Sequence, residues 1–273
     1  MPFPSSADRS LSDLLSLRGR RIVLTGASQG IGARMAHRLA EAGANLALAA
    51  RSEDELRDLT EALASRPGKV VAVPTDIAEP AQVARLAEEA VQALGGLDVW
   101  INNAGTLAVA DALAMTPEEW DALYAVNVRG TFLGCQAAAR HMKDHGGGTI
   151  LNVASSLAFH AVPGQAHYVS SKWTVRGLTA ALASEWGRHG IRVLGIAPGL
   201  THSDGMDALM EQVAEAQGGD PTETFARQYP AKRLGEADDI ACMAVALVSG
   251  LGGFVTGATV LVDGGEVYGA PSA

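Results

Sequence analysis

Cysteine is scarce in this chain. The only two, Cys135 and Cys242, lie far apart, with no CxxC spacing. That pattern excludes a disulfide framework and a thiolate metal site, and both are read as buried, reduced packing thiols. Aromatic residues make up only 5% while glycine and alanine are abundant, a mix that favours tightly packed helices lying on a sheet. Basic residues fall short of acidic ones, 21 against 30, for a formal charge of -9. The footprint of a nucleic-acid binder is therefore lacking. An anionic cofactor is not excluded, because clustered backbone N–H groups can hold one locally. Long apolar runs are missing too. "IACMAVALVSGLGG" is too short to span a bilayer and contains glycines. The opening "MPFPSSADRSLSDLLSL" has no apolar core of signal-peptide length. The expectation is a cytoplasmic protein with no membrane contact.

What is present is a globular composition, 48% hydrophobic and 19% charged over 273 residues, with 31 glycines. Residues 1–18 read as a flexible arm with a short helix on Leu11, Leu14 and Leu15. Strands and helices then alternate. "RRIVLTG", "NLALAAR", "KVVAVPTD", "LDVWINNAG", "TILNVASS", "IRVLGIAPG" and "TGATVLVDGG" read as strands. Thr116, Pro117 and Glu119 form a capping box that opens a long helix reaching about His145. Another helix spans roughly 165–189. Alternation of this kind, with β-branched strands, predicts an α/β fold: one Rossmann-like, doubly wound parallel sheet of about seven strands with helices on both faces. No linker divides it, so residues 19–273 read as one domain. The segment from 200 to about 230 breaks the rhythm. Met206, Leu209, Met210 and Val213 form an amphipathic stripe. An insertion at the carboxyl edge of a parallel sheet predicts a substrate lid.

"TGASQGIG" joins the first strand to the first helix. Gly26, Gly30 and Gly32 permit a tight turn and close approach of a pyrophosphate to free helix N–H groups. Ser28, Gln29 and Ile31 complete that loop. At the end of the second strand, where an acidic residue would bind a ribose 2′-hydroxyl, the sequence has Ala50 followed by Arg51. A cation there favours NADP(H), with NAD(H) the alternative. In "AHYVSSKW", Tyr168 and Lys172 are four apart and share one helical face. An ammonium beside a phenol stabilises the phenolate, and so brings a pKa near ~10 towards neutrality. Ser170 and Ser171, on other faces of that helix, read as packing residues.

"TGASQGIG", "NNAG", the Asn of "YAVNVRGTF", the Ser of "LNVASS", "YVSSK" and "APG" occur in an order and spacing that resembles the short-chain dehydrogenase/reductase family in its compact form. The match runs from about Gly19 to Gly265. The resemblance implies a catalytic tetrad of Asn127, Ser155, Tyr168 and Lys172, with Ser156 the competing choice for the serine. It implies that Asp76 and Ile77 contact adenine and that Asn103, Ala104 and Gly105 flank adenine and ribose. It further places Pro198, Gly199, Thr201 and Ser203 beside the nicotinamide, with Lys172 on the ribose hydroxyls and Asn127 holding a water that relays protons to Lys172. Ser203 departs from the threonine usual there.

The implied activity is hydride transfer between a nicotinamide cofactor and a ketone or aldehyde–alcohol pair, with Tyr168 as acid/base. Alternatives are 3-oxoacyl-thioester reduction within the same family, or a non-catalytic dinucleotide sensor. His160, Met206 and Met210 are candidate pocket residues. His141 and His145 lack a third ligand, so no metal is expected. The expected partner is a small carbonyl or alcohol, and the resemblance implies a homotetramer.

Overall fold

The computed structural model describes residues 6–202, 226 and 229–269. Seven strands form one parallel sheet: β1 (Arg21–Thr25), β2 (Asn45–Ala49), β3 (Val70–Ala72), β4 (Val99–Asn102), β5 (Gly148–Val153), β6 (Ile191–Pro198) and β7 (Thr259–Val262). Their order is β3-β2-β1-β4-β5-β6-β7. The order reverses between β1 and β4, and that switch point opens a crevice at the carboxyl ends of the strands.

The pleat sorts each strand's side chains between two cores. On one face Ile22 and Leu24 pack with α2 (Gly30–Glu41), α3 (Glu53–Leu63) and α8 (Ala237–Val248). On the other, Val23 and Trp100 pack with α4 (Pro80–Leu94), α6 (Thr131–Met142) and α7 (Ala166–Trp186). The strands are apolar at successive positions because both faces are covered. This is the doubly wound arrangement read from the sequence. Among the described residues, no helix is long and apolar enough to cross a membrane.

Several elements differ from the sequence reading. The amino-terminal segment is docked from residue 11. Ser10 caps α1 (Leu11–Leu15) through the Asp13 N–H. Leu14 and Leu17 are buried, the Gly250 N–H donates to Leu14 O, and the Leu17 N–H donates to Ala42 O. Leu17→Ala should therefore cost about 2–5 kcal/mol in a denaturant titration. A loss below about 1 kcal/mol would mean that this segment does not belong to the core.

The thiols also separate. Cys135 is fully buried and its pKa is pushed up to about 12 by that burial. Cys242 is exposed, which corrects the expectation that both are buried. It lies on the side of α8 turned away from the sheet, whereas Ile240, Ala241 and Ala244 face inward. β3 has three residues where a longer strand was expected.

The long helix is interrupted. α5 (Pro117–Tyr124) keeps the capping box, but Ala125–Gly130 form a π-helical turn before α6 begins. The wider turn carries Asn127, and the Thr131 hydroxyl donates to its carbonyl oxygen at 2.8 Å. Of the segment read as a lid, residues 203–225 and 227–228 lie outside the described residues, so Ser203, Met206 and Met210 cannot be placed.

Candidate active site

The crevice begins at the glycine loop. Gly26 has φ +63°, a conformation that disfavours side chains, and a Cβ there would lie 2.6 Å from Ala104 Cα. A Cβ on Gly32 would collide with the Gly26 carbonyl. These two positions let the turn fold onto "NNAG". The Asn103 side chain donates to Thr25 O and Gly26 O, and the Asn103 and Ala104 N–H groups donate to Thr25 Oγ1. Thr25 is thus the hinge between both loops, a role its place at a strand end did not announce. Gln29 precedes α2 without capping it, and no acidic residue occupies the first turn. The leading N–H groups of α2, Gly30, Ile31 and Gly32 among them, therefore meet the crevice uncapped, with the helix's positive end behind them. This cradle fits a dinucleotide pyrophosphate.

The outer contacts follow the sheet edge. Arg51 is exposed just past β2, and among the described residues it has no hydrogen-bond or ion-pair partner. Ser52 beside it caps α3 through the Glu55 N–H. Asp76 Oδ1 accepts from the Ala78 N–H, and Ile77 is nearly buried against Gly130. Pro198 ends β6. The Gly199 N–H donates to Val262 O, and Thr201 Oγ1 donates to Gly199 O at 2.8 Å.

The chemistry-bearing residues converge across β5 and α7. Ser155 follows β5 and accepts from the Leu157 N–H; its hydroxyl also reaches the Tyr168 phenol. Of the two serines, Ser155 is the one whose hydroxyl acts on the Tyr168 phenol. Lys172 is 5% exposed, and its Nζ donates to Val153 O at 3.0 Å. The same Nζ sits 5.6 Å from the Tyr168 ring centroid. Burial pulls the ammonium down to about 8. Burial pushes the phenol above its ordinary value; the Ser155 hydrogen bond opposes that rise and the Glu266 charge adds to it. In the cofactor-free protein burial outweighs the acidification expected of Tyr168, and the Lys172 ammonium is held at the Val153 carbonyl.

Asn127 is 1% exposed. Its Oδ1 accepts from the Thr106 N–H, and its Nδ2 donates to Thr106 O and Ser171 Oγ. A Cβ on Gly105 would lie 3.3 Å from Asn127 Oδ1 and 3.5 Å from Lys172 Nζ. Gly105 thus lies between the Asn127 amide and the Lys172 ammonium. Ser171 is fully buried and donates to Tyr168 O, so it links Asn127 to the backbone of the catalytic tyrosine candidate. The bond to Tyr168 is local, three residues back on the same helix, and only the docking of α7 on the π-turn brings Ser171 to Asn127.

Behind the site a closed polar network locks α6 and α7 to the sheet. Trp100 Nε1 donates to Asn102 Oδ1, Asn102 Nδ2 donates to Asn152 Oδ1, and Asn152 Nδ2 donates to Thr179 Oγ1. Cys135 donates to Asn152 Oδ1 at 3.3 Å. Every member is satisfied, which rigidifies the platform bearing Tyr168 and Lys172.

Comparison with known proteins agrees with this architecture. Residues 26–266 match a family model described as enoyl-(acyl carrier protein) reductase. Gluconate 5-dehydrogenase of Gluconobacter oxydans is 34% identical over 93% of this chain and 96% of its own. 3beta-hydroxysteroid dehydrogenase 1 of Eggerthella lenta is 36% identical over 91% of this chain and 94% of its own. The crystal structure of a gluconate 5-dehydrogenase from Burkholderia cenocepacia in complex with NADP and tartrate superposes with a TM-score of 0.88 at 33% identity. It covers 96% of this chain and 100% of that one. With its reversed-order parallel sheet, its glycine cradle and the Ser155–Tyr168–Lys172 cluster beside it, this chain belongs to the short-chain dehydrogenase/reductase family, the NAD(P)-dependent oxidoreductases of CH–OH and carbonyl groups.

Proposed function

We propose that this protein interconverts a ketone or aldehyde and its alcohol with NADP(H) in preference to NAD(H), using Tyr168 as the acid/base. The observation that carries the reading is the convergence of Ser155, Tyr168 and the buried Lys172, whose Nζ lies 5.6 Å from the phenol ring, at the edge of an uncapped glycine cradle. When bound, the dinucleotide supplies or accepts the hydride. Gly26, Gly30 and Gly32 would hold its pyrophosphate, Asp76, Ile77, Asn103, Ala104 and Gly105 would line its adenosine half, and Pro198, Gly199 and Thr201 would shelve its nicotinamide.

The protein's own part is position and proton. Ser155 donates to the substrate oxygen and fixes its direction. Tyr168 gives that oxygen a proton during reduction and removes one during oxidation. An ammonium within reach of the phenol stabilises the phenolate, and Lys172 would also hold the ribose hydroxyls of the bound dinucleotide. Asn127 holds Thr106 and Ser171, and with them the wall on which Tyr168 and Lys172 are set. The gluconate and steroid relatives support an alcohol–ketone pair. The NADP complex of the Burkholderia relative and the unpartnered Arg51 support the phosphorylated cofactor.

The test is a panel of carbonyls and alcohols assayed with both cofactors; cofactor binding without any turnover would sink the reading. Arg51→Ala should lower kcat/KM for NADPH by roughly 10- to 100-fold, the equivalent of one or two charge-assisted hydrogen bonds. NADH kinetics should hardly change. An equal loss for both cofactors would remove Arg51 from the 2′-phosphate.

A further inference from the structure

One carboxylate ties together the substrate side of the crevice. Glu266 opens the short turn that follows β7, and β7 pairs with β6 so that Val262 lies opposite Pro198. Asp263 fixes that turn by accepting from the Gly265 and Val267 N–H groups. Glu266 is thereby carried to the end of the nicotinamide shelf. Its Oε2 accepts from the Leu200 N–H at 3.2 Å. A Cβ on Gly199 would lie 2.7 Å from the same oxygen, so the glycine makes room for the carboxylate. The Glu266 charge adds to the burial that pushes the Tyr229 phenol up. Oε1 lies 3.4 Å from Nε2 of His160, in the loop between Ser155 and Tyr168. Segments following β5, β6 and β7 thus meet on one side chain that is 14% exposed.

Two features make this more than a structural clasp. His160 Nε2 is shielded from solvent and makes no hydrogen bond, which buried polar atoms rarely tolerate. The facing Oε1 and Nε2 form an acceptor beside a ring nitrogen, at a separation that one hydroxyl group can bridge. His160 belongs to the loop that joins Ser155 to Tyr168, and Leu200 follows the Pro198–Gly199 shelf, so the carboxylate stands at the substrate end of the crevice. A clasp alone would be served equally by an uncharged amide, whereas a charge there repels anions.

We propose that Glu266, with His160, selects the substrate: it binds a hydroxyl adjacent to the reacting carbon of an uncharged polyhydroxylated substrate and turns carboxylated substrates away. This rests on the alcohol–ketone reading above. Glutamine at 266 keeps one acceptor oxygen for the Leu200 N–H and puts an uncharged amide NH2 in place of the other oxygen.

The experiment measures kcat and KM of the purified full-length protein for alditols of four to six carbons, the aldonates of the same carbon chains, and a simple secondary alcohol. Wild type should favour alditols over matching aldonates by at least about tenfold in kcat/KM, and Glu266→Gln should narrow that ratio by about tenfold. The change should lie in KM, with cofactor Kd retained. Should E266Q fail to fold, His160→Ala should raise KM for alditols more than for the simple alcohol. A ratio unchanged in E266Q, an equal KM rise on all substrates in H160A, or wild-type preference for aldonates or the simple alcohol would overturn the proposal. Those last preferences would leave the oxidoreductase reading standing. Absence of all nicotinamide-linked turnover would overturn both.

Discussion

Tyr168→Phe should reduce kcat by about 10²- to 10⁴-fold, the range ascribed to a positioned proton donor, with cofactor affinity preserved. The substitution removes one oxygen and keeps the ring in place. Ser155 loses a partner, but its Leu157 N–H contact remains, so the platform stays assembled. The Lys172 bond to Val153 O is independent of the phenol. Dinucleotide binding, read by fluorescence titration, should therefore stay within about threefold of wild type. Loss of turnover and binding together would indicate a packing role for the phenol. Retained turnover would remove Tyr168 from the chemistry.

The second large effect concerns Lys172. Lys172→Met should abolish most turnover yet raise the thermal stability of the cofactor-free protein at pH 7. Burial lowers the lysine from 10.5 to about 8 in the folded state. At pH 7 the folded protein must still charge it, at a cost of roughly 3 kcal/mol relative to the unfolded chain. Methionine of similar length removes that cost. The Val153 carbonyl loses its donor, which offsets about 1 kcal/mol. The net gain is a few degrees in Tm for a chain of this size. The sign with pH follows from the lowered value. Between about pH 8 and 10.5 the unfolded state binds more protons than the folded one, so wild type gains stability as pH rises through that window. The variant's advantage is full below pH 8 and fades towards pH 10.5. A wild type more stable than Lys172→Met at pH 7 would show that the ammonium is better compensated than its hydrogen bond to Val153 O implies.

Local rules made much of the molecule legible. Apolar strands separated by amphipathic helices specified a parallel sheet covered on both faces, and the strand count follows directly. Thr116–Glu119 announced its helix start through a capping box that the fold retains. Gly26 and Gly32 sit where a side chain would collide with backbone, and their spacing in the sequence already marked that turn. Tyr168 and Lys172 were legible as a pair because helical periodicity alone places them on one face.

Other features depend on distant segments meeting. The π-turn at Ala125–Gly130 adds no distinct residue pattern to a sequence that reads as continuous helix. Leu17 looks like part of a polar arm until Ala42 receives its N–H and the α2–α8 core closes over it. Cys242 lies in an apolar run, and only the docking of α8 decides which side of that run faces out. Ser171 gains its link to Asn127 from helix packing across 44 residues. The acidity of Tyr168 and Lys172 was the least readable quantity. Sequence spacing suggests an ammonium acidifying a phenol, whereas burial moves both groups towards their neutral forms. The sequence by itself determined the sheet, the glycine cradle and the identity of the reactive side chains, because those follow from local sterics and periodicity. The tertiary structure alone decided what each reactive group touches and how deeply it is buried, because desolvation and hydrogen bonding are properties of neighbours far apart in the chain.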